Sequence, residues 1–555
     1  MRRVLCVYSS LFIFLFLINS MQALPLSTSS RWIVDNKGKR VKLACVNWVA
    51  HADLVVAEGL SKQSVDEISR MIKEMKFNCV RLTWPLYLAT DRSLASLTVR
   101  QSFQNAGLSN FIPGIKAHNP SILDHSLIHA FQAVVASLTK KKVMVILDNH
   151  VSRPGWCCGN IFDGNGFFGD RDFNPRLWVY GSTRMATLFK HDPYVVGLSL
   201  RNELRGFRQN VQDWYRYMQE GAEAVHNANP NLLVIISGLD YDKDFTFLKE
   251  NPISLSFKRK LVYETHWYSF SDGHDWENGN PNEVCGNVKK EIMRLSGFLL
   301  DLGFPLFVSE WGVDLREIET NDNRYLNCFL AWMAQHDVDW ALWTLVGSYY
   351  IREGITEVNE YYGVLDWEWT KFRSKGFLDR ISLIQSPLQG PRLSNGNTHK
   401  IIYHPSTGLC IKRNLVKGVH LGNCLNSNNH WIHTHKNTLT ISGSNLCLKA
   451  QRLDHPVKLS HDCRGTGKTR WEFISDSKLH FSVSLRKGEY GCLDVDYVRK
   501  KVITKACKCL SEDHLCNPES QWFKIIDVSV ERDTNFTDTL TNTSLASVLP
   551  SVGRI

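Results

Sequence analysis

The sequence predicts an α/β protein, a (β/α)8 TIM barrel followed by a smaller all-β domain. Three observations carry this. Eight short apolar runs alternate with stretches of helical spacing from Val41 to about Leu383, and charged or aromatic residues sit at the C-terminal ends of those runs. Three self-similar segments follow, each closing on a tryptophan.

The runs are VKLACVNW (41–48), CVRLTW (79–84), VMVILDNH (143–150), VVGLSLRNE (195–203), LLVIISG (232–238), LVYETHWY (261–268), PLFVSEWG (305–312) and VDWALWTL (338–345). Each is short, β-branched or aromatic, and followed by turn chemistry, the pattern of a buried strand. Between the first two, Val65, Ile68, Met71, Ile72 and Met75 recur at three and four, one face of a helix. Residues 127–138 and 214–228 behave the same way. Such alternation fits a closed barrel or an open doubly wound sheet. Polar residues at strand after strand favour the barrel, which gathers its site from many strand ends. An open sheet concentrates its site at one switch point, usually behind a Gly-rich loop, and this chain has no such loop.

The barrel reading covers residues 24–385, and a linker rich in Pro, Gly, Ser and Asn covers 386–397. The repeats, ending at Trp431, Trp471 and Trp522, occupy 398–526; each has a leading Cys–aliphatic pair and a second Cys downstream. They read as three copies of one unit sharing a core. Residues 527–555 form a polar tail expected to be disordered.

Composition is that of an ordinary globular protein, with 43% hydrophobic and 22% charged residues, which excludes a fibrous or wholly disordered chain. The net charge of +10 comes from basic residues scattered along the sequence, and implies weak affinity for an acidic matrix such as a pectin-like polymer. No basic stripe interleaves with aromatics, so nucleic acid is not an expected partner. Arg2, Arg3, the apolar run Val4 to Ile18 and Ala23 read as a signal peptide over 1–23. That run is short for a membrane span, so the mature chain is expected outside the cell or in the wall, without stable insertion. Removing Cys6 with the signal leaves fourteen of fifteen cysteines, an even number that fits disulfides in an oxidising compartment. Adjacent Cys157 and Cys158 are expected to bond different partners, and the pairing of Cys45, Cys79, Cys285, Cys328, Cys509 and Cys516 stays open. Asn535 and Asn542 head glycosylation acceptors. No His/Cys set has zinc spacing and no Gly-x-Ser-x-Gly elbow appears, so neither metal nor cofactor is expected. Oligomeric state is not legible.

Glu203 ends the fourth run and Glu310 the PLFVSE portion of the seventh. Hydrolysis of a glycosidic bond needs two carboxyl groups, one protonated for the leaving oxygen and one ionised. A single Glu at a strand end is usually an ion-pair partner or a loop cap, so the neighbours decide. Asn202 precedes Glu203, and strand alternation would turn it toward a sugar hydroxyl. His266 and Tyr268 lie two apart on one face; His150 ends the third run, Arg81 lies in the second, and Trp343 in the eighth offers an indole for sugar stacking. Each alone has an ordinary structural reading, but together they form one polar set at one barrel face. The loop 151–175 carries Trp156, Phe162, Phe167 and Phe168, as stacking walls or as a hydrophobic plug, and the segment 85–123 is expected to cover part of the cleft.

In these residues the chain resembles glycoside hydrolase family 5, whose set of Arg, His, Asn-Glu, His-x-Tyr, Glu and Trp appears as Arg81, His150, Asn202-Glu203, His266-Trp267-Tyr268, Glu310 and Trp343. It departs at Leu204, where the family usually has Pro. The resemblance implies Glu310 as nucleophile and Glu203 as acid/base, ~5–5.5 Å apart in a retaining enzyme. It implies that Arg81 and Tyr268 bond Glu310 and favour its ionised form, that Glu203 stays protonated, and that Asn202 holds a 2-hydroxyl. His150, His266 and Trp343 would complete the substrate site. The implied reaction is retaining hydrolysis of a β-linked oligo- or polysaccharide of glucan or mannan type. Transglycosylation would use the same residues, and a silent carbohydrate-binding protein would require a degraded set, whereas this one is intact. Endo or exo action depends on the loops 85–123 and 344–374.

Residues 398–526 resemble a ricin-B-type β-trefoil. The closing Gln-x-Trp reads Asn429-His-Trp431, Thr469-Arg-Trp471 and Ser520-Gln-Trp522, and the sugar-binding Asp survives only as Asp494, with Lys412 and Lys449 in the other repeats. This implies bridges Cys410–Cys424 and Cys447–Cys463, Cys492 pairing with Cys507 or Cys509, and a mainly structural trefoil docked on the barrel, with sugar binding left only to the third repeat.

Overall fold

The computed structural model describes residues 24–316, 319–393, 398–414, 418–425, 430–486, 488–499, 501–511 and 513–529. The expected signal segment, Asn429, part of the linker, and Asn535 and Asn542 lie outside them.

All eight apolar runs form strands: β1 (Ala44–Trp48), β2 (Cys79–Pro85), β3 (Met144–Val151), β4 (Val195–Ser199), β5 (Leu233–Ser237), β6 (Leu261–His266), β7 (Leu306–Glu310) and β8 (Asp339–Leu342). They pair in parallel in sequence order, and β8 returns to β1 to close the barrel. Both faces of every strand are covered, which is why the runs are almost continuously apolar. Outward residues such as Val46, Leu82, Leu147 and Val308 pack under the helices. Inward residues near the base, among them Cys45, Ile146, Val262 and Phe307, form a separate apolar plug. The N-terminal hairpin, Ser27–Ser29 with Trp32–Val34, adds Leu26 and Ile33 to that plug and seals the bottom.

The helices follow their sequence signals. α1 (Val65–Glu74) starts where Ser64 accepts a bond from the Glu67 amide and buries Ile68, Met71 and Ile72. α2 (Leu127–Lys140) and α3 (Pro175–Leu188) follow β2 and β3, and α4 (Val211–Ala228) is capped by Asn210 at the Asp213 amide. α5 (Pro281–Ile292) and α6 (Thr320–His336) are joined by the Cys285–Cys328 disulfide. After β8, β9 (Ser348–Arg352) and β10 (Ile355–Asn359) form an antiparallel hairpin over the barrel mouth.

The C-terminal domain is an antiparallel all-β sheet that curls on itself. Its strands include β11 (His399–His404), β12 (Leu409–Arg413), β13 (Val419–Gly422), β14 (Cys447–Lys449), β15 (Lys458–Ser460), β16 (Glu489–Asp496), β17 (Lys501–Lys505) and β18 (Lys524–Val528). The repeat tryptophans are its buried anchors. Trp431 donates its indole N–H to the Ile411 carbonyl (3.0 Å) and Trp471 to the Leu448 carbonyl (3.0 Å), equivalent positions in two repeats. Trp522 instead donates to Asn282 Oδ1 on α5 (2.9 Å).

That exchange docks the domain on the barrel. Asn282 Oδ1 also accepts from Ser477 Oγ (2.8 Å) and faces His480 Nδ1 (3.0 Å), while its Nδ2 donates to the Cys509 carbonyl (2.9 Å). Arg324 on α6 reaches the Cys516 carbonyl (2.7 Å). Gly286 lies against Asp476 so closely that a Cβ would stand 2.9 Å from its carbonyl oxygen. Asn282→Ala strands buried donors at this interface and is expected to cost about 3 kcal/mol. A thermal unfolding curve unchanged from wild type would refute that.

All fourteen described cysteines are paired. Cys410–Cys424, Cys447–Cys463 and Cys492–Cys507 lie within repeats, Cys509–Cys516 follows, and Cys45–Cys79 ties β1 to β2. The expectation of separate partners for Cys157 and Cys158 is wrong: they bond each other at the edge of the cavity, and the other twelve described cysteines are paired among themselves.

Candidate active site

The inward positions of the strands change character along their length. Above the apolar plug, Cys45 gives way to Asn47, Cys79 to Arg81, Ile146 to Asp148 and His150, and Val262 to Glu264 and His266. Period two carries these side chains to the C-terminal mouth.

Arg81 is the hub. Its Nη1 donates to Glu310 Oε1 (2.7 Å) and Asn47 Oδ1 (3.1 Å), and its Nη2 to Asn202 Oδ1 (2.9 Å) and Asp148 Oδ1 (3.0 Å), with Glu264 Oε2 at 3.5 Å. Burial opposes its charge, but Asp148, Glu264 and Glu310 outweigh that and hold it cationic. Tyr268 Oη donates to the other oxygen of Glu310 (3.0 Å). Glu203 and Glu310 face each other across His266, whose Nδ1 lies 3.0 Å from Glu203 Oε1 and 3.8 Å from Glu310 Oε2. Facing oxygens of the two carboxyls fall within 4.8 Å.

Glu203 does not end a strand. β4 stops at Ser199, and Glu203 follows in left-handed backbone with φ 43°. Such a conformation costs a residue with a Cβ about 1–3 kcal/mol and persists only when its surroundings impose it. Here the Glu203 amide donates to Asp242 Oδ2 (3.0 Å) and its carbonyl accepts from Arg205 Nη1 (2.9 Å). Strand alternation therefore does not orient Asn202, which is buried and turned inward to Arg81. Removing the brace by Asp242→Ala is expected to lower kcat by about 10²-fold with little change in KM, since small displacements of a reacting group carry that penalty. Equal losses in a control variant at the exposed Lys116, which does not line the cavity, would argue against a positioning role.

Burial pushes the Glu203 carboxyl up to about 7 against the pull of Arg205 and Arg81. Burial also raises Glu310 to about 7, opposed by His266 and Arg81 and reinforced by Glu203. Arg81 and Tyr268 thus do not return Glu310 to an ordinary carboxylate value. What they do is favour the anion of Glu310 through two donors, while burial favours the protonated form of Glu203, the division of states that acid-assisted attack needs. Burial, and then Arg81, keep His150 well below its ordinary value, and burial lowers His266, so both are neutral.

A cavity of about 600 Å³ opens over the pair, lined by Glu203, Glu310, His150, His266, Tyr268 and Trp343 among others. The expected residues converge, with two corrections. Arg81 is fully buried and bonds Glu310 as expected, whereas Asn202, expected to turn toward a sugar hydroxyl, is 1% exposed beneath the cavity with its Oδ1 on Arg81. No residue of 85–123 lines it, because that segment folds into short helices packed against the barrel flank. The wall comes from 344–374 instead, where Arg352 of β9 stacks on Trp156 (3.8 Å). The loop after β3 divides: Trp156 lines the cavity, Phe167 and Phe168 are buried as a plug, and Phe162 is 73% exposed.

Sequence reasoning missed Asp148, Glu264, His51 and Asp242. The first two stand two residues before His150 and His266, so period two would have found them. His51 lies beyond β1, stacked on His150 at 3.9 Å. Asp242 has no local signal, since a turn with three successive left-handed residues, Asp240 to Asp242, brings it there. Asp494 is 1% exposed and accepts from Gln521 Nε2 (2.8 Å), so its carboxylate is already satisfied inside the domain.

Two close carboxyls at the mouth of a closed barrel are the constellation that hydrolysis of a glycosidic bond requires. The comparisons agree: the family model Cellulase (glycosyl hydrolase family 5) matches residues 34–348. A "Glycosyl hydrolase 5 family protein" of Chamaecyparis obtusa is 43% identical over 521 residues, 91% of this chain and 93% of its own. The "Major extracellular endoglucanase" of Xanthomonas campestris is 26% identical over 64% of this chain and 70% of its own. An endocellulase structure from Pyrococcus horikoshii shares the fold, with TM-score 0.53 and 16% identity over 65% of this chain and 98% of that one. The chain belongs to glycosyl hydrolase family 5, and it is a retaining β-glycosidase.

Proposed function

We propose that Glu310 is the nucleophile and Glu203 the acid/base of a secreted enzyme that cleaves a β-linked glucan by double displacement. The observation that carries this is the approach of the two carboxyls within 4.8 Å, near the ~5–5.5 Å spacing of retaining pairs and below the ~6.5–9.5 Å that admits an inverting water. Glu310 attacks the anomeric carbon while Glu203 gives its proton to the departing glycosidic oxygen. The ester that forms removes the negative charge of Glu310, so Glu203 holds its proton less tightly. Glu203 then takes one from water, which displaces Glu310 and restores both groups. Arg81, Asn202 and Asp242 act as positioning residues. Trp343 and Trp156 offer faces for sugar rings.

A glucan substrate is supported by relatives named endoglucanases from Paenibacillus polymyxa and Xanthomonas campestris. Export is supported by seven disulfides, and among the described residues no helix is long and apolar enough to cross a membrane. The C-terminal domain reads as a docked structural trefoil. NMR of the anomers formed from a soluble β-glucan oligosaccharide tests the mechanism: the β anomer must appear first, and an α anomer first would sink it. Parallel assays on glucan and mannan decide the polymer.

Both carboxyls titrate above their ordinary value of 4.5, so the folded state binds their protons more tightly than the unfolded chain. The stability they contribute is full below about pH 4.5 and lost as pH rises through about 7. Glu203→Gln is therefore expected to raise the melting temperature near pH 8, by up to about 3 kcal/mol of stability, and to leave it unchanged near pH 4. A gain at pH 4, or none at pH 8, contradicts this.

A further inference from the structure

The charge of this protein is concentrated. Residues 398–529 hold 20 Lys and Arg against 11 Asp and Glu, so +9 of the chain's +10 lies in the C-terminal domain. Along the sequence these residues look scattered, but the sheet gathers a set of them.

Lys412 on β12 is directly opposite His420 on β13, and His420 is opposite Lys501 on β17. Lys449 on β14 is opposite Lys458 on β15, and Lys458 also bridges Gly418, two residues before His420. Opposed residues of an antiparallel pair share a face, as do residues two apart on one strand. Lys412, His420, Lys449, Lys458 and Lys501 therefore leave one side of the sheet together. The alternate residues Ile411, Leu421, Leu448, Leu459 and Val502 point the other way, into the core.

This face lacks counter-charge. Among the described residues, Lys412, His420, Lys458 and Lys501 have no ion-pair partner. Asp462, 3.8 Å from Lys449, is shared with Arg464 at 2.7 Å, and Asp496, opposite Lys501, is engaged by Arg499 at 3.3 Å. Like charges placed directly opposite across strands destabilise a sheet. Where a fold retains such a conflict, a functional site is the usual reason. The internal repeats sharpen this. Lys412 and Lys449 each stand two residues after the leading Cys of their repeat, where the third repeat has Asp494 sealed inside against Gln521.

We propose that this face binds a carboxylated polysaccharide, a polyuronate, and so holds the enzyme to an acidic matrix. Lys449 and Lys458 stand on neighbouring strands at the ~4.8 Å separation, and the largely buried Lys412 and the exposed Lys501 flank His420 two strands apart, giving spaced positive charge to a chain that carries a carboxylate on each sugar. The five positions offer no Phe, Tyr or Trp as a base-stacking platform and no amphipathic helix for a bilayer, which favours a glycan over nucleic acid or lipid. The binding is separate from catalysis.

The test uses the full-length protein and polygalacturonate as probe. Retention on immobilised polygalacturonate should fall with added salt and should weaken at least tenfold in the K458E/K501E double variant. Hydrolysis of a small aryl β-glucoside should be unchanged in that variant. The K458E single variant should melt at an equal or higher temperature, because the Lys449–Lys458 conflict is gone, whereas K501E adds a carboxylate opposite Asp496. If the double variant does not fold, judged by circular dichroism, wild-type protein on polygalacturonate of graded methyl esterification decides. Affinity falling with esterification supports the proposal. Equal binding to the fully esterified polymer, unchanged binding by a folded double variant, or equally tight binding to duplex DNA or anionic vesicles overturns it.

Discussion

Glu310→Ala is expected to lower kcat by about 10⁴-fold or more, in line with removal of a covalent nucleophile from a machinery that works as a unit. The loss should be the same for good and poor leaving groups, because no covalent intermediate forms with either. Two further results distinguish a lost nucleophile from a damaged site. Wild-type protein incubated with a 2-deoxy-2-fluoro β-glucoside should carry the sugar on Glu310 after peptide mapping. The alanine variant should regain turnover with azide, which fills the vacated space below the anomeric carbon and yields the inverted α-glycosyl azide. Labelling at another residue, or a variant within tenfold of wild type, would remove Glu310 from this role. Its environment makes the outcome specific: Arg81 at 2.7 Å and Tyr268 at 3.0 Å grip both oxygens, so the carboxylate is aimed as well as charged.

Glu203→Ala should show a different signature. With a leaving group that needs a proton, kcat/KM is expected to fall by about 10²–10⁴-fold, the range of general acid catalysis. With an activated aryl leaving group the first step should be nearly unaffected, while the second, which needs Glu203 as base, slows. The glycosyl-enzyme then accumulates and appears as a burst. Azide should again restore turnover, here giving the retained β-glycosyl azide, since it attacks from the side where water would. Equal losses for both leaving-group classes would mean that Glu203 is structural. Its left-handed backbone, held by Asp242 and Arg205, is the physical reason to expect function, because that conformation costs stability and serves no packing need.

Much of the architecture was legible in the residues. Strand and helix periods, the eightfold order of apolar runs and the spacing of three Cys–aliphatic and Trp signals are local or repeating properties, and local properties survive in one dimension. The converging set Arg81, His150, Glu203, His266, Tyr268, Glu310 and Trp343 was legible too, because a barrel sends every strand's end to the same mouth. What remained hidden depends on contacts between distant segments. Nothing near Asp242 marks it as the brace of Glu203, and alternation gave the wrong reason for the orientation of Asn202 because the strand had already ended. Cys157 and Cys158 pair with each other, since the other described cysteines meet their partners through strand and helix contacts that the sequence does not show. Arg81 reads in sequence as a partner of Glu310 and becomes in space a buried hub, since three carboxylates from three strands surround it. The basic face of the C-terminal domain likewise exists only through register: Lys412, Lys449, Lys458 and Lys501 are dispersed along the chain, and hydrogen bonding between strands sets them side by side.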